Sequence, residues 1–294
     1  MTSVPQSSRT RIVVKKLGRE VVDFQNTGQI VSAMADAVDA HTELHERAMI
    51  LHRGVSVGNI LITDDDSGIL VDLDSELGAI QRMGTMQFES AKLQETSTPP
   101  PPSLADDLES FYHVLTWLAL RYTDHGFGRV ELSEVIKNYF DEFVNSQYYK
   151  RQYREKGRYL RIKRLSYAGF EEDELAELID ELASVLSVRY REEPSEEEIK
   201  EFEEFKVSWA EDLKKAKEEP NPEVIYEKLK EMSERAVERH AVARYRRDME
   251  RLENGEWMSE TFRTTAMMSG EMLMEKVVHK LVDLNKPYSY GYYY

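Results

Sequence analysis

The chain has 294 residues, enough for one large domain or two small ones, and 41 % of them are hydrophobic, so a buried core is expected. Its formal net charge of -16 disfavours nonspecific binding to DNA, RNA and anionic membranes, and we expect neither nucleic acid nor membrane as a partner. The absence of cysteine excludes disulfides, thiol catalysis and cysteine-ligated zinc.

The N-terminus gives no targeting signal. Residues 1–10 are polar and lack the apolar centre of a secretory signal, so we expect them to be disordered. Nowhere does an apolar run approach the roughly 18 residues that a membrane-spanning helix needs. The sequence therefore predicts an intracellular protein, cytoplasmic or nuclear.

Short β-like runs and a helix follow. The runs Ile12–Val14 and Val21–Val22 flank Gly18 and predict either an isolated hairpin or one strand leading into the next element. A three- and four-residue apolar spacing predicts a helix over residues 27–47, capped by Asn26 or Thr27. His41 falls on its apolar stripe, where a packed core histidine is favoured over a functional one.

The stretch Leu51–Asp74 organises the rest of the chain. It predicts a polar loop, a strand at Ile60–Ile62, an acidic turn and a return strand ending near Asp72. Such a hairpin places the Asn59 amide and the Asp72 carboxylate close together. Hard cations prefer oxygen ligands, so the pair suits Mg²⁺ carrying phosphate oxygens, although either residue can instead only stabilise the loop.

Three adjacent aspartates, residues 64–66, precede Ser67-Gly68 in this turn. A calcium loop of the EF-hand type needs alternate ligands and a distal glutamate, and these are missing. The aspartates are therefore interpreted as turn residues.

The central part of the chain is predominantly helical. Helices are predicted over residues 103–122, 130–149 and 171–188, and the first has the strongest apolar stripe. The proline run within residues 96–102 predicts a rigid connector in preference to an SH3 or WW ligand. The basic block 150–164 is interpreted as pairing with the protein's own acidic surface rather than stacking on bases.

A charged helical extension is predicted after Pro194. Ser195 and Glu198 form a capping box for a helix reaching Lys217, and a second helix is predicted from Asn221 to about residue 254. Methionines cluster in residues 256–284, where a core-filling helix is favoured over a partner-binding groove. The tyrosine-rich tail, residues 287–294, is expected to be disordered.

Four motifs in order carry a family resemblance. His52-Arg53-Gly54 with Asn59 resembles the protein-kinase catalytic loop H-R-D-x-x-x-x-N, and Val71–Asp74 resembles the metal-binding D-F-G segment. Gly84-Thr85-x-x-Phe88 resembles the end of an activation segment, and Asp106–Phe111 resembles the start of the central C-lobe helix. These motifs are most similar to those of the fungal-specific protein-kinase family, and the resemblance extends over roughly Arg11–Leu120.

The resemblance implies a fold. We expect residues 11–193 to form an α+β, mainly helical, protein-kinase-like domain made of the hinge and the C-lobe, with short β hairpins. The runs at residues 12–14 and 21–22 match the last N-lobe strand and the hinge. A helical C-terminal extension is expected over residues 194–286. Only about 50 residues precede His52, and the chain shows no glycine-rich phosphate loop. The N-lobe is therefore expected to be largely missing.

The resemblance also implies site roles. Asn59 and Asp72 match the Mg²⁺ ligands that hold ATP, and Asp107 matches the aspartate that supports the loop backbone. Arg53 matches an arginine that often faces a phosphorylated residue, for which Thr85 and Ser75 are the candidates. Gly54 stands where the catalytic aspartate is expected, and glycine can neither accept a proton nor position a nucleophile.

Three functions follow from these matches. The favoured one is a degenerate kinase, or pseudokinase, that binds a protein partner as a scaffold and keeps at most residual Mg-ATP binding. The alternatives are an active Ser/Thr kinase that transfers the ATP γ-phosphate to protein hydroxyls, and a truncated kinase paralogue without activity.

Overall fold

A computed structural model describes residues 18–72, 87–94, 98–141, 153–218, 222–268 and 275–279. The two ends predicted to be disordered, residues 1–10 and 287–294, lie outside these ranges, as do Ser75 and Thr85. Within them the protein is mainly helical with one small antiparallel sheet, which confirms the predicted α+β, kinase C-lobe-like class.

The described residues contain three strands and ten α-helices. The strands are β1 Arg19–Glu20, β2 Ile60–Ile62 and β3 Gly68–Leu70. The first five helices are α1 Thr27–Ala48, α2 Ala91–Gln94, α3 Leu104–Tyr122, α4 Arg129–Ile136 and α5 Tyr153–Arg161. The others are α6 Asp173–Leu186, α7 Glu196–Lys217, α8 Pro222–Arg239, α9 Ala241–Arg251 and α10 Glu256–Met268. None of them is both long and apolar enough to cross a bilayer.

The sheet has the order β1-β2-β3, with both pairings antiparallel. The predicted strand at Val21–Val22 is wrong, because residues 21–23 form a 3₁₀ turn that directs Val21 into the core. Strand β1 pairs with β2 rather than forming a hairpin of its own. It approaches so closely that a Cβ on Gly18 would lie 1.9 Å from the carbonyl oxygen of Ile62.

Helices α1 and α3 form the centre of the core. Asn26 caps α1 by accepting a hydrogen bond from the Gln29 backbone N–H at 3.1 Å, as predicted from the sequence. Helix α3 begins one residue after the predicted start, because Ser103 is its N-cap. Most of α3 is buried on all sides, including several polar and charged side chains in its first half.

The last helix, α10, packs against α1 and α6. Met258 and Phe262 are fully buried in the same core as α1 and α3. The turn before α10 contacts α1 so closely that a Cβ on Gly255 would lie 2.0 Å from the Thr42 hydroxyl oxygen. The interpretation of the methionine cluster as core holds for Met258 only, since Met267 and Met268 are exposed and residues 269–274 lie outside the described ranges.

Two predicted helices are interrupted. The helix expected over residues 130–149 is α4, followed by a π-helical turn at residues 137–141. The wider turn lets the adjacent side chains of Tyr139 and Phe140 both face the core. The helix expected over residues 221–254 is broken at His240, whose extended backbone caps the start of α9.

The basic block contributes to the fold. Lys163 pairs with Asp180 at 2.7 Å, and Arg164 pairs with Glu131 at 2.9 Å. Lys156 is buried and donates to backbone carbonyls of residues 87 and 89. These contacts agree with the predicted pairing of the block to the protein itself.

Helices α7 and α8 pack against each other and bury little. In α7 only Phe202 and Ala216 are buried, although the capping box predicted at Ser195 and Glu198 is formed. Lys215 pairs with Asp212 at 3.3 Å on the exposed side of α7.

Candidate functional site

The loop that contains His52 is held by one carboxylate at the start of α3. Asp107 Oδ2 accepts the backbone N–H of His52 at 2.8 Å, and Oδ1 accepts that of Arg53 at 3.0 Å. The His41 Nε2 atom lies 2.8 Å from Asp107 Oδ2. Because Asp107 is almost fully buried, these donors replace the water that an ionised carboxylate would otherwise need. Asp107 thus lies where the resemblance places a loop-supporting aspartate.

His41 has a defined part in this arrangement. It is fully buried on α1, and its Nε2 links that helix to the carboxylate that holds the loop. A carboxylate acceptor requires the proton to be on Nε2, which makes His41 a donor. It is therefore a core histidine, as interpreted from the sequence, but one that also fixes the site.

His52 connects the loop to the hairpin. Its Nε2 lies 2.9 Å from the carbonyl oxygen of Val71, to which it donates. Burial lowers the pKa of His52 below its ordinary value, and the bond to Val71 and the nearby Asp107 offset this only in part. The other ring nitrogen, Nδ1, is buried without a hydrogen-bond partner among the described residues. His52 is therefore a neutral positioning residue.

Asn59 and Asp72 are held beside each other by the hairpin backbone. The Asn59 carbonyl accepts the Val71 N–H at 2.9 Å, one residue before Asp72. The Asn59 side chain donates its Nδ2 to the carbonyl of Gly54 at 2.8 Å, which leaves the amide oxygen as its ligand atom for a cation. The pairing of the two strands therefore brings Asn59 close to Asp72 along the hairpin.

Asp72 is exposed and has a left-handed backbone, with φ of 63°. Most residues avoid this region, and aspartate and asparagine are among those that tolerate it best. Asp72 is the last residue described before residue 87.

The donor set fits a phosphate-bound Mg²⁺. Magnesium is usually held through one or two carboxylates together with substrate phosphates, and an amide oxygen plus a carboxylate matches that pattern. Among the described residues there is no group of three or more histidine, aspartate or glutamate side chains that would hold a metal by itself. Any Mg²⁺ at Asn59 and Asp72 would therefore depend on the phosphates of its nucleotide.

Gly54 lies in the loop between His52 and Asn59. A Cβ at this position would have ordinary contacts, the nearest being His52 Nδ1 at 3.5 Å and Asn59 Nδ2 at 3.7 Å. Its backbone has no positive φ that would require glycine. The backbone at this position thus accepts a Cβ, so the glycine is not required by the local geometry.

A second buried network, which the sequence did not predict, holds residues 87–91. Arg189 forms ion pairs with both Asp106 and Glu109 of α3. Glu109 Oε1 also accepts the Ala91 N–H at 2.8 Å, and Asp106 Oδ1 accepts the Ser90 hydroxyl at 2.6 Å. The two carboxylates of α3 therefore attach the segment that follows the activation-segment motif.

The charges in this network are strongly perturbed. Burial by itself would raise the pKa of Glu109, but Arg189 and the hydrogen bond from His113 outweigh it and lower the pKa to about 2. Burial lowers the pKa of His113 to about 4 and that of Lys156 to about 7. Glu109 is thus a fixed anion and His113 a neutral ring that also contacts the Tyr139 hydroxyl at 3.2 Å.

A sequence signal for this network existed only in part. Acidic residues 106 and 109 interrupt the first turns of an otherwise apolar helix, which is costly without a partner. Nothing local identifies Arg189 as that partner, because it lies 80 residues from Glu109 along the chain.

Comparison with known proteins agrees with the motifs. Residues 4–119 match the family model described as fungal protein kinase. The match contains the His52 loop, the hairpin and nearly all of α3, close to the range of the predicted resemblance. No curated protein matches the chain. Residues 4–119 are therefore similar to the fungal protein kinase family, as the motifs in this segment predict.

Proposed function

We propose that this kinase-like chain is a pseudokinase that acts as a binding module and keeps at most weak Mg-nucleotide binding through Asn59 and Asp72. Gly54 is the observation that carries the proposal. The loop around it is held by Asp107, His52 and Asn59, yet it lacks the carboxylate that a kinase uses to orient the attacking hydroxyl.

Preservation of the loop without its catalytic group supports a binding role. Phosphoryl transfer depends on positioning and electrostatic stabilisation, so the loss of the residue that orients the nucleophile lowers turnover while leaving nucleotide contacts in place. In the proposed state, Asn59 and Asp72 would hold the Mg²⁺ of a bound nucleotide. When bound, that ion would neutralise phosphate charge.

The partner in this proposal is another protein. Its support is the exposed apolar surface outside the kinase-like segment, where Val207 of α7 and Val224 and Met232 of α8 have at least half of their surface in solvent. A protein partner that binds these helices would remove these apolar side chains from water.

Thermal unfolding with and without Mg-ATP tests the nucleotide part. A ligand at about 100 times its Kd adds about 2.7 kcal/mol to the folded state, which raises the Tm by several degrees. We expect a Mg²⁺-dependent rise that disappears in Asp72→Asn. Asparagine tolerates the left-handed backbone, so this variant removes the charge with little strain. Glu46→Ala, on the exposed end of α1, is the matched control and should keep the rise.

Transfer of labelled phosphate distinguishes the alternatives. The pseudokinase proposal expects no transfer by the wild-type protein, and a signal that Asp72→Asn abolishes would favour an active Ser/Thr kinase. Absence of any Tm rise at millimolar Mg-ATP would remove the nucleotide part and leave either a partner-binding scaffold or an inactive paralogue. Gly54→Asp should fold normally, because its Cβ has room, and a gain of transfer would identify a kinase disabled at one residue.

A further inference from the structure

Residues Glu275–His279, here called the C-terminal clasp, join the start of α1 to the end of α3. Three of its backbone N–H groups donate to carbonyl oxygens of the core, at Gln25, Tyr122 and Arg121, over 2.8–3.1 Å. The clasp also forms an antiparallel bridge between Glu275 and Asn26. It lies outside the kinase-family match and closes over the segment that leads into α1.

Lys276 anchors the middle of the clasp. Its Nζ donates to the carbonyl of Val22 and lies 5.0 Å from the Phe24 ring and 4.6 Å from the Tyr122 ring. A lysine head group over aromatic faces is favourable at a partly buried site. Lys276 therefore holds the middle of the clasp in place.

Two imidazoles meet at the end of the clasp. The rings of His279 and His125 have centroids 4.6 Å apart and planes tilted by 31°. His279 Nε2 lies 2.7 Å from the carbonyl oxygen of Thr123, and His125 Nε2 lies 3.0 Å from that of Leu120. Both rings thus donate from Nε2 to the end of α3.

The protonation state of His125 is fixed by its partners. While Nε2 donates to Leu120, Nδ1 accepts the N–H of Phe127 at 3.2 Å. A neutral imidazole has one donor and one acceptor, so both are in use. A second proton on Nδ1 would break the bond to Phe127 and place a positive charge against the ring of His279.

Other charges around the pair do not remove this conflict. Asp124 is adjacent to His125, and the neighbouring Glu171 donates its backbone N–H to the Asp124 carbonyl. Arg164 lies over the Phe127 ring at 5.3 Å. Arg121 lies near the end of α3, with its guanidinium over the Trp117 and Tyr122 rings, and Glu275 and Lys276 lie in the clasp.

We propose that the clasp is a proton-sensitive latch, closed while His125 is neutral and released from α1 and α3 when His125 takes up a proton. Release would expose the backbone carbonyls that the clasp now covers at the start of α1 and the end of α3. The latch belongs to the C-terminal part of the chain and does not depend on the proposed pseudokinase function.

The direction follows from linkage. Burial, and next to it the closeness of His279, lowers the pKa of His125, while its bond to Leu120 offsets this in part. The released ring would regain its ordinary pKa of about 6.5, so opening takes up a proton. Below that pH the open fraction rises up to tenfold per pH unit for each proton taken up, and above it the clasp is closed.

Amide exchange measured by NMR on the full chain tests the latch. The protection factors of the Lys276, Val277 and His279 amides, corrected for the intrinsic pH dependence of exchange, should fall about tenfold between pH 7.5 and 5.5 for uptake of one proton. Amides in the middle of α3, such as that of Leu118, should keep their protection.

Three variants separate the latch from general loosening. His125→Gln keeps a donor for Leu120 but cannot take up a proton, so its protection should change less than about threefold over the same pH range. His45→Gln on α1 is the matched control and should keep the tenfold fall. Lys276→Met should lower protection at both pH values without changing their ratio.

Equal wild-type protection at the two pH values would overturn the latch, as would the same fall in His125→Gln. A ring titration of the wild-type protein covers the case in which His125→Gln opens the clasp at every pH. His125 must then bind its proton in step with the loss of amide protection. Protonation of His125 with the clasp amides still protected would overturn the proposal.

Discussion

Helix α3 and the α7–α8 hairpin use charged residues in opposite ways. In α3 the acidic side chains at 106, 107 and 109 are almost fully buried, and each accepts hydrogen bonds that fix another segment. In α7 and α8 most charges are exposed, and apart from the pair of Glu203 with Arg246 of α9, their described ion pairs join residues three or four apart. The chemistry of the side chains is the same. Burial decides which of them define geometry and which only keep the surface solvated.

The largest expected effect comes from removing the partner of two buried carboxylates. Arg189→Ala leaves Asp106 and Glu109 charged in the core, and breaking a buried ion pair costs about 3–5 kcal/mol. Urea unfolding should show a fall of this size in the free energy of unfolding. A loss below about 1 kcal/mol would mean that the network around α3 is as dispensable as the α7–α8 pairs.

The Phe262→Ala variant tests whether α10 unfolds together with α3 or separately, together with the α7–α8 hairpin. Phe262 is fully buried in the main core, and truncating such a phenylalanine costs about 3 kcal/mol or more. We expect one cooperative transition with a lowered midpoint. A separate early transition, seen by limited proteolysis as cleavage between residues 192 and 195 at native conditions, would instead support the boundary predicted at Pro194.

A smaller effect is expected from pH. Burial lowers the pKa of His113 to about 4 from 6.5, so the unfolded chain binds the proton more readily. The stability that this ring contributes is complete above pH 6.5 and declines as pH falls towards 4. Between pH 7.5 and 5 the decline should reach about 2 kcal/mol in urea titrations, and His113→Gln should lose clearly less. Equal losses in both proteins would assign the acid sensitivity elsewhere.

The smallest effect on the free energy of unfolding is expected from a substitution on the α7–α8 hairpin. Arg235 and Glu231 form an exposed pair at 2.5 Å on α8. Exposed pairs one helical turn apart are worth about 0.3–0.5 kcal/mol, so Arg235→Ala should change the free energy of unfolding by no more than that. A loss above 1 kcal/mol would show that hairpin charges act as those of α3 do.

The sequence predicted what depends on local pattern. The stripe of α3, the caps at Asn26 and Ser195, and the two strands around the acidic turn all follow from neighbours along the chain. The motifs also identified Asp107, because its place relative to His52 is part of the family pattern. These features need no knowledge of distant contacts.

The rest depends on distant contacts that no local pattern encodes. Arginine is usually a surface residue, yet the Arg189 side chain is buried between Asp106 and Glu109. His240 sits in a continuous helical pattern but breaks the helix, where its ring stacks on Phe202 at 4.5 Å. His125 and His279 are 154 residues apart along the chain, and neither local sequence predicts that their rings meet. Tertiary packing overrides local propensity at each of these positions.

A substitution at Gly255 offers a way to disturb the contact between α10 and α1 selectively. The missing side chain lets the turn before α10 reach Thr42, and an added methyl group would collide with that hydroxyl. Gly255→Ala would therefore push α10 away from α1 without changing any residue of the His52 loop, the β2–β3 hairpin or α3. A binding partner that no longer binds this variant would depend on the C-terminal third of the chain. A Tm rise with Mg-ATP that persists in the variant would come from the kinase-like segment alone.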